Sequence, residues 1–361
     1  MNRNNHKISF WCLLALVAAA LLSGSCEKKI DFSPDDVSPY VVMMSRPVSD
    51  SLMTVYVGYS RFFLDNGHFG SIGNATVTVS AGGVTYAGVY DSTCFRTATY
   101  YGYYDEYYDD YYDTYGGYRF TLRPKVGDTL RLSAQVPGHD GEVSAVTVVP
   151  PLPQIEVLDF VCDTIDEPYG DIYFKIRFRI KCNSNKEYFN LRVLTAERRF
   201  INDSTGYWDT TDMEYTYFTV NDPIVNSTSI ADAIDGYDGS FSGNSLDFSS
   251  EMFTGGEHEF TVELDRWGSD TWGLETWQTP IVLSVKAMSE DLYKYNTTRD
   301  GYSSDFDDLF SEPVQVFCNI DGGIGIFGAS SIRRVTMPAP RIENFPHSGG
   351  YYYKSQKKAR R

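Results

Sequence analysis

Histidine is scarce in this chain of 361 residues: there are five, His6, His68, His139, His258 and His347, and no two stand three or four apart. The zinc-hydrolase motifs that place two imidazoles on one helix face are therefore absent. A serine nucleophile on a strained turn is missing as well. Gly239-Ser240-Phe241-Ser242-Gly243 has the outer glycines of a nucleophile elbow but carries Phe241 at its centre. Basic residues are few, 31 Lys and Arg against 48 Asp and Glu, which gives a net charge of -17. That balance argues against a nucleic-acid partner, because phosphate binding needs clustered Lys and Arg. The exception is the end of the chain, where Lys354, Lys357, Lys358, Arg360 and Arg361 form a basic tail over residues 341–361. Cysteine is sparse too, with six in the chain. Cys12 and Cys26 lie near the N-terminus, and Cys94, Cys162, Cys182 and Cys318 show no metal-ligand pairing in their spacing. Four cysteines allow three connectivities; at most one bridge, among Cys162, Cys182 and Cys318, is expected. No metal and no cofactor is expected from any of these patterns.

Long apolar runs are missing everywhere except at the start. Arg3, His6 and Lys7 precede an apolar stretch over residues 8–22, which ends in Leu22-Ser23-Gly24-Ser25-Cys26. A short basic segment followed by such a stretch reads as a secretory signal over residues 1–25, too short for a comfortable membrane span. Small residues directly before a cysteine resemble a lipobox, although Ser23 stands where an aliphatic residue is usual. Cys26 is thus the expected lipidation site and the anchor to a membrane. Acyl chains contribute about 0.8 kcal/mol per buried methylene, so several on one cysteine hold firmly.

Period-two alternation dominates the rest of the chain. Ile172, Phe174, Ile176, Phe178 and Ile180 alternate with Tyr173, Lys175, Arg177, Arg179 and Lys181. Val77 and Val79, and then Leu130, Leu132, Ala134 and Val136, alternate with polar residues in the same way. Each run reads as a strand with one buried face and one wet face. Turn residues such as Asp65-Asn66-Gly67 and Gly82-Gly83 separate them. The fold class expected is all-β: two tandem antiparallel β-sandwich domains of the immunoglobulin or fibronectin kind, with a few short helices in the second. Pro150, Pro151 and Pro153 form a stiff break. That places a linker at 26–38, a first sandwich at 39–150 and a second at 151–340. Residues 229–234 and 288–297 are the expected helices, and 207–219 is another strand region.

One stretch stands out by composition. Residues 100–118 hold ten tyrosines interleaved with Asp105, Glu106, Asp109, Asp110 and Asp113. They lie between strand-like segments, as an insertion at 98–118 forming a long hairpin loop or an extended hairpin. Tyrosine offers rigid, amphipathic contact area at low entropic cost. Tyr100, Tyr101, Tyr103, Tyr104, Tyr107, Tyr108, Tyr111, Tyr112 and Tyr115 are therefore candidate binding-loop residues for a partner protein or a glycan. A surface insertion kept soluble by its carboxylates is the competing reading. Gly323-Ile324-Gly325-Ile326-Phe327-Gly328 fits the dinucleotide pattern, yet Pro338 follows too soon for the helix a pyrophosphate requires. A glycine turn or bulge with positive φ accounts for it instead.

Three blocks together resemble a family of Bacteroidota lipoproteins known as domain of unknown function 4249 (DUF4249). The first is Cys26-Glu27-Lys28-Lys29-Ile30-Asp31-Phe32. The second comprises Asn74-Ala75-Thr76-Val77-Thr78-Val79, Gly127-Asp128-Thr129-Leu130-Arg131-Leu132 and residues 148–153. The third runs from Ser311-Glu312-Pro313-Val314 into Asn319-Ile320-Asp321-Gly322-Gly323-Ile324-Gly325-Ile326-Phe327-Gly328. The tyrosine-rich stretch departs from the family pattern. The resemblance implies an outer-membrane-associated lipoprotein, often encoded beside a TonB-dependent receptor, with no known reaction and no catalytic residues to carry over. The expectation is a non-enzymatic accessory that binds or scaffolds such a receptor. A surface glycan-binding protein, or a glycoside hydrolase, is the alternative. Whether it faces the periplasm or the cell surface stays open.

Overall fold

The computed structural model describes residues 39–61, 70–99, 111–164, 172–182, 186–201, 208–226, 240–266, 281–304 and 315–337. Residues 40–61 and 65–361 make up one unit; of the other, 1–39 with 62–64, only Pro39 is among the described residues. Cys26, the linker, the expected helix at 229–234 and the basic tail lie outside the described residues.

The alternating runs form strands, and their apolar sides face each other across pairs of sheets. The protein is all-β, built from several sheets that are antiparallel apart from one strand pair, with no barrel closure among the described residues. The first pair comprises a five-stranded sheet and a four-stranded one. The five-stranded sheet contains β1 (Val41–Ser45), β2 (Thr54–Tyr59), β5 (Val89–Thr99), β6 (Tyr111–Arg119) and β18 (Ile324–Phe327), in the order β18-β1-β2-β6-β5. The four-stranded sheet has β3 (Thr76–Ala81), β4 (Val84–Ala87), β7 (Thr129–Gln135) and β8 (Val143–Val148), in the order β4-β3-β7-β8. Val41, Met43, Val55 and Val57 meet Val77, Val79, Leu130, Leu132 and Ala134 between them, all buried.

The second pair follows the proline break. One sheet runs β14-β13-β16-β10-β9, from β9 (Gln154–Thr164), β10 (Ile172–Lys181), β13 (Phe218–Asn221), β14 (Ser240–Gly243) and β16 (Glu257–Arg266). The other runs β12-β11-β17-β19, from β11 (Tyr188–Ile201), β12 (Trp208–Thr216), β17 (Ile281–Met288) and β19 (Ser330–Met337), with β15 (Leu246–Ser249) also on β11. The alternation in β10 is realised directly. Phe174, Ile176, Phe178 and Ile180 are fully buried, while Lys175 on the wet face pairs with Glu263 at 2.8 Å and Arg179 pairs with Glu259. The buried side meets Phe189, Leu191, Val193, Leu283 and Val285 from the facing sheet. Among the described residues two α-helices punctuate this half, the one-turn α1 (Pro223–Asn226) and α2 (Glu290–Ser304). Ser289 caps α2: its carbonyl accepts from Tyr293 at 3.1 Å, and its Oγ from Leu292 at 3.4 Å. Glu290 and Lys294 then pair one turn apart at 2.9 Å.

The two cores are not filled strictly in chain order. β18 lies beside β1 in parallel, with Met43 opposite Gly325 and Met44 opposite Ile326. Ile320, Phe327 and Ala329 are thereby buried in the first core, although they come after most of the second-half strands in sequence. Asn319 holds this strand in place. Its Oδ1 accepts the Phe327 N–H, and its Nδ2 donates to the Phe327 carbonyl, both at 2.9 Å. The same Nδ2 reaches Asp291 of α2 at 2.9 Å. The dinucleotide-like glycine run is this strand and the turn before it, and Gly325 sits at φ 126°.

Cys94, Cys182 and Cys318 are free thiols. Partial burial pushes the Cys94 and Cys182 thiols above the ordinary range, which favours their protonated form.

Candidate functional site

The tyrosine-rich stretch occupies the end of an antiparallel hairpin. β5 and β6 pair from Val89 opposite Arg119 out to Thr99 opposite Tyr111, with a register shift between Asp91 and Phe95. The connecting residues 100–110, and with them Tyr100, Tyr101, Tyr103, Tyr104, Tyr107 and Tyr108, lie outside the described residues. Tyr111 and Tyr112 belong to β6, opposite Thr99 and Ala98. Tyr115 is half-buried; its ring stacks on Phe95 at 5.1 Å and meets Tyr56 edge-on at 5.6 Å. The tenth tyrosine of the run, Tyr118, is not a loop residue: it is 2 % exposed and belongs to the first core.

Tyr118 anchors the base of the hairpin to the segment before β3. Its hydroxyl accepts the Ala75 N–H at 2.9 Å and donates to the Ile72 carbonyl at 2.7 Å. Tyr56 does the same further out, donating to the Gly70 carbonyl at 3.0 Å. Burial raises both phenols above their usual range, so both stay neutral donors. Ser71 and Tyr90 share a third hydroxyl contact at 2.8 Å. Beside these residues lies an open concavity of about 480 Å³ lined by Tyr59, Arg61, Ser71, Ile72, Asn74 and Pro137, among others.

Asp91 stabilises the irregular part of β5. Its carboxylate accepts the Thr93 backbone N–H and the Thr93 hydroxyl, each at 2.8 Å, and Arg119 Nε at 2.5 Å. These bonds, the Thr93 N–H foremost, hold the Asp91 carboxyl down at about 2 against an ordinary 3.8. Because the folded value is the lower one, the stabilisation is complete above pH ~4 and is lost as pH falls toward ~2. An NMR titration of the Asp91 carboxyl carbon is expected to give a midpoint of about 2, moving toward 3.8 in Thr93→Val. A midpoint already at the ordinary value in the unaltered protein would refute this hydrogen-bonded turn.

A second polar pair sits in the other half, joining two residues that no sequence pattern links. His258 Nε2 meets Asp222 Oδ2 at 2.8 Å, and Asp222 Oδ1 accepts the Ile224 N–H at 2.9 Å at the start of α1. The imidazole stacks on Phe253 at 5.4 Å and stands edge-on to Phe260 at 4.7 Å. Asp222 is the only hydrogen-bond partner of the His258 ring among the described residues. Among the described residues no group of three or more His, Cys, Asp and Glu side chains could hold a metal ion.

Fold and site together define an all-β protein of paired sheets that carries an aromatic hairpin and an open concavity beside it. The chain belongs to the family described as Domain of unknown function (DUF4249), whose profile matches residues 27–336. No curated protein matches the chain.

Proposed function

We propose that this protein is a non-enzymatic, lipid-anchored accessory that binds or scaffolds a TonB-dependent outer-membrane receptor, or that receptor's ligand, through the tyrosine-rich end of the β5–β6 hairpin. The supporting observation is the hairpin's base. Tyr118 ties β6 to Ile72 and Ala75, and Tyr56, Phe95 and Tyr115 pack on one another where the strands leave the sandwich. A recognition segment works best on such a frame, since less conformational freedom is lost on binding. Anchoring falls to Cys26. No helix among the described residues is long and apolar enough to cross a membrane.

The second reading, a glycan-binding surface protein, draws on the concavity next to the hairpin. Tyr59, Arg61, Ser71 and Asn74 give it an aromatic ring, a cation, a hydroxyl and an amide. A sugar ring needs that mixture of stacking and polar groups.

The test is a pull-down of the tagged lipoprotein from detergent-solubilised membranes, with and without Gly/Ser replacement of residues 100–110. Tyr115 and Tyr118 are left intact to preserve the base. One receptor should co-purify stoichiometrically with the unaltered protein and fall at least tenfold with the replacement. Equal recovery would remove the hairpin's role. Recovery of the lipoprotein alone would discard the receptor reading in favour of the glycan one.

A further inference from the structure

Six lysines fall among the described residues, and five of them pair with a carboxylate. Lys125 meets Asp50, Lys175 meets Glu263, Lys181 meets Glu156, Lys186 meets Glu251 and Lys294 meets Glu290. Lys286 of β17 is the exception. It is half-buried, and among the described residues its ammonium has neither a carboxylate within ion-pair distance nor a hydrogen-bond acceptor. A partly covered cation without a partner costs free energy, and a lysine relieves that cost by giving up its proton.

The pairing register accounts for the isolation. Lys286 lies opposite Asn190 of β11, and Asn190 lies opposite Asp247 of β15. Asp247 is engaged elsewhere: it accepts from Asn190 Nδ2 and, at 3.0 Å, from Asn296 Nδ2. Arg46, just after β1, lines the same cavity as Lys286. Its guanidinium stands 5.4 Å from the centroid of the Tyr295 ring and likewise has no ion-pair partner among the described residues. Burial first, and then Arg192, push the Lys286 ammonium below the usual lysine range; Asp247 opposes this, while Arg46 and Arg334 add to it. A larger share of this amine than of an ordinary lysine is therefore uncharged and nucleophilic. The cavity measures about 90 Å³. At ~30 Å³ per water, that is room for a triatomic molecule and not for a sugar or a peptide.

We propose that Lys286 is an acceptor of carbon dioxide, its neutral amine forming a carbamate that pairs with Arg46. The Nζ lone pair attacks the carbon of CO2. An N–C bond forms, one C=O π pair moves onto oxygen, and the nitrogen releases one proton to solvent. Nothing is oxidised or reduced, and the step is reversible.

The product is an anion where a cation stood, so the sign of each neighbouring interaction reverses. Arg46, Arg192 and Arg334 then attract, and Asp247 repels. Arg192 already donates to Ser245 Oγ at 3.2 Å and is asked for no further bond. Two cations that share a cavity without carboxylates become one ion pair, of the planar two-oxygen kind that suits a guanidinium. An exposed, ion-paired lysine has nothing comparable to gain, since its carbamate would sit against its own carboxylate partner. This site is separate from the hairpin and does not depend on the receptor or glycan reading.

The experiment traps carbamates on the full chain in detergent, in mildly alkaline bicarbonate buffer equilibrated with CO2. Triethyloxonium converts each carbamate to a stable ethyl ester, and mass spectrometry of the digest gives its occupancy at every lysine. Lys286 should carry at least ten times the adduct of Lys175 or Lys294 in the same sample, a comparison that needs no variant. Arg46→Gln should lower the Lys286 adduct at least fivefold and leave the other two unchanged. Carbon-13 NMR with labelled bicarbonate examines the chain without alkylation: a carbamate resonance should appear, and Lys286→Arg should remove it. An adduct at Lys286 no greater than at Lys175 and Lys294, with no carbamate resonance that depends on Lys286, overturns the proposal, whether or not bicarbonate itself binds.

Discussion

Alanine in place of Gly325 is expected to lower stability by about 3 kcal/mol, seen as a drop in melting temperature of roughly 6–12 °C. Two effects add. Gly325 has φ 126°, where an L side chain is strained by about 1–2 kcal/mol. Its Cβ would also run into the carbonyl oxygen of Met43, the residue opposite it in the β1–β18 pair. Relieving that collision means parting the two strands, and Ile326 and Phe327, both fully buried, move with β18. Gly82 supplies the control. Its φ of 57° is also positive, but nothing lies within 4 Å of a Cβ there. Gly82→Ala should cost only the backbone part, about 1 kcal/mol. Equal losses at the two positions, measured by calorimetry, would show that close approach to β1 contributes nothing.

Phe260→Ala should cost about 3–5 kcal/mol, the range for emptying a large aromatic site in a core that relaxes only in part. Phe260 is fully buried on β16, stacked on Phe178 at 5.6 Å and tilted against Phe248 at 4.9 Å. It thus joins the two facing sheets of the second half. The conservative Phe260→Leu keeps most of the volume and should lose about 1.5 kcal/mol. Urea unfolding of both variants measures the difference. A loss below ~1 kcal/mol for the alanine variant would mean that this core is not packed around Phe260.

The strands and their buried faces were legible because alternation is a local property. β3, β7 and β10 could be read residue by residue, and the helix expected over residues 288–297 is α2, which begins at Glu290 and runs on to Ser304. Strand neighbours were not legible. Periodicity tells which face of β1 is buried and says nothing of a partner some 280 residues further along the chain. The tyrosine run concealed a similar change: Tyr115 is half-buried and Tyr118 fully so, yet composition alone does not separate them from the tyrosines before them. A small cavity lined by Arg46, Asn190, Arg192 and Lys286 escaped for a different reason. Asn190, Arg192 and Lys286 occupy the wet-face positions of ordinary strands, and among the described residues α2 and the segment after β1 cover that face. One signal was available in β17, where Ser284 and Lys286 interrupt an otherwise apolar IVLSVKAM. Isolated polar residues in a strand apolar on both sides point to a covered polar site.

The pairing of β18 with β1 also bears on how the chain reaches its native state. As synthesis proceeds from the N-terminus, β1 and β2 emerge early, while the strand that completes their sheet is among the last. Throughout that interval one side of β1 has no neighbour, and Val41 and Met43 stand at an open edge. Contacts this distant in sequence form slowly, because a long loop must close before any of them can be made. The N-terminal sandwich is therefore the part that finishes late, and a chain cut short before Ile324 would keep an adhesive strand edge of the kind that recruits other chains.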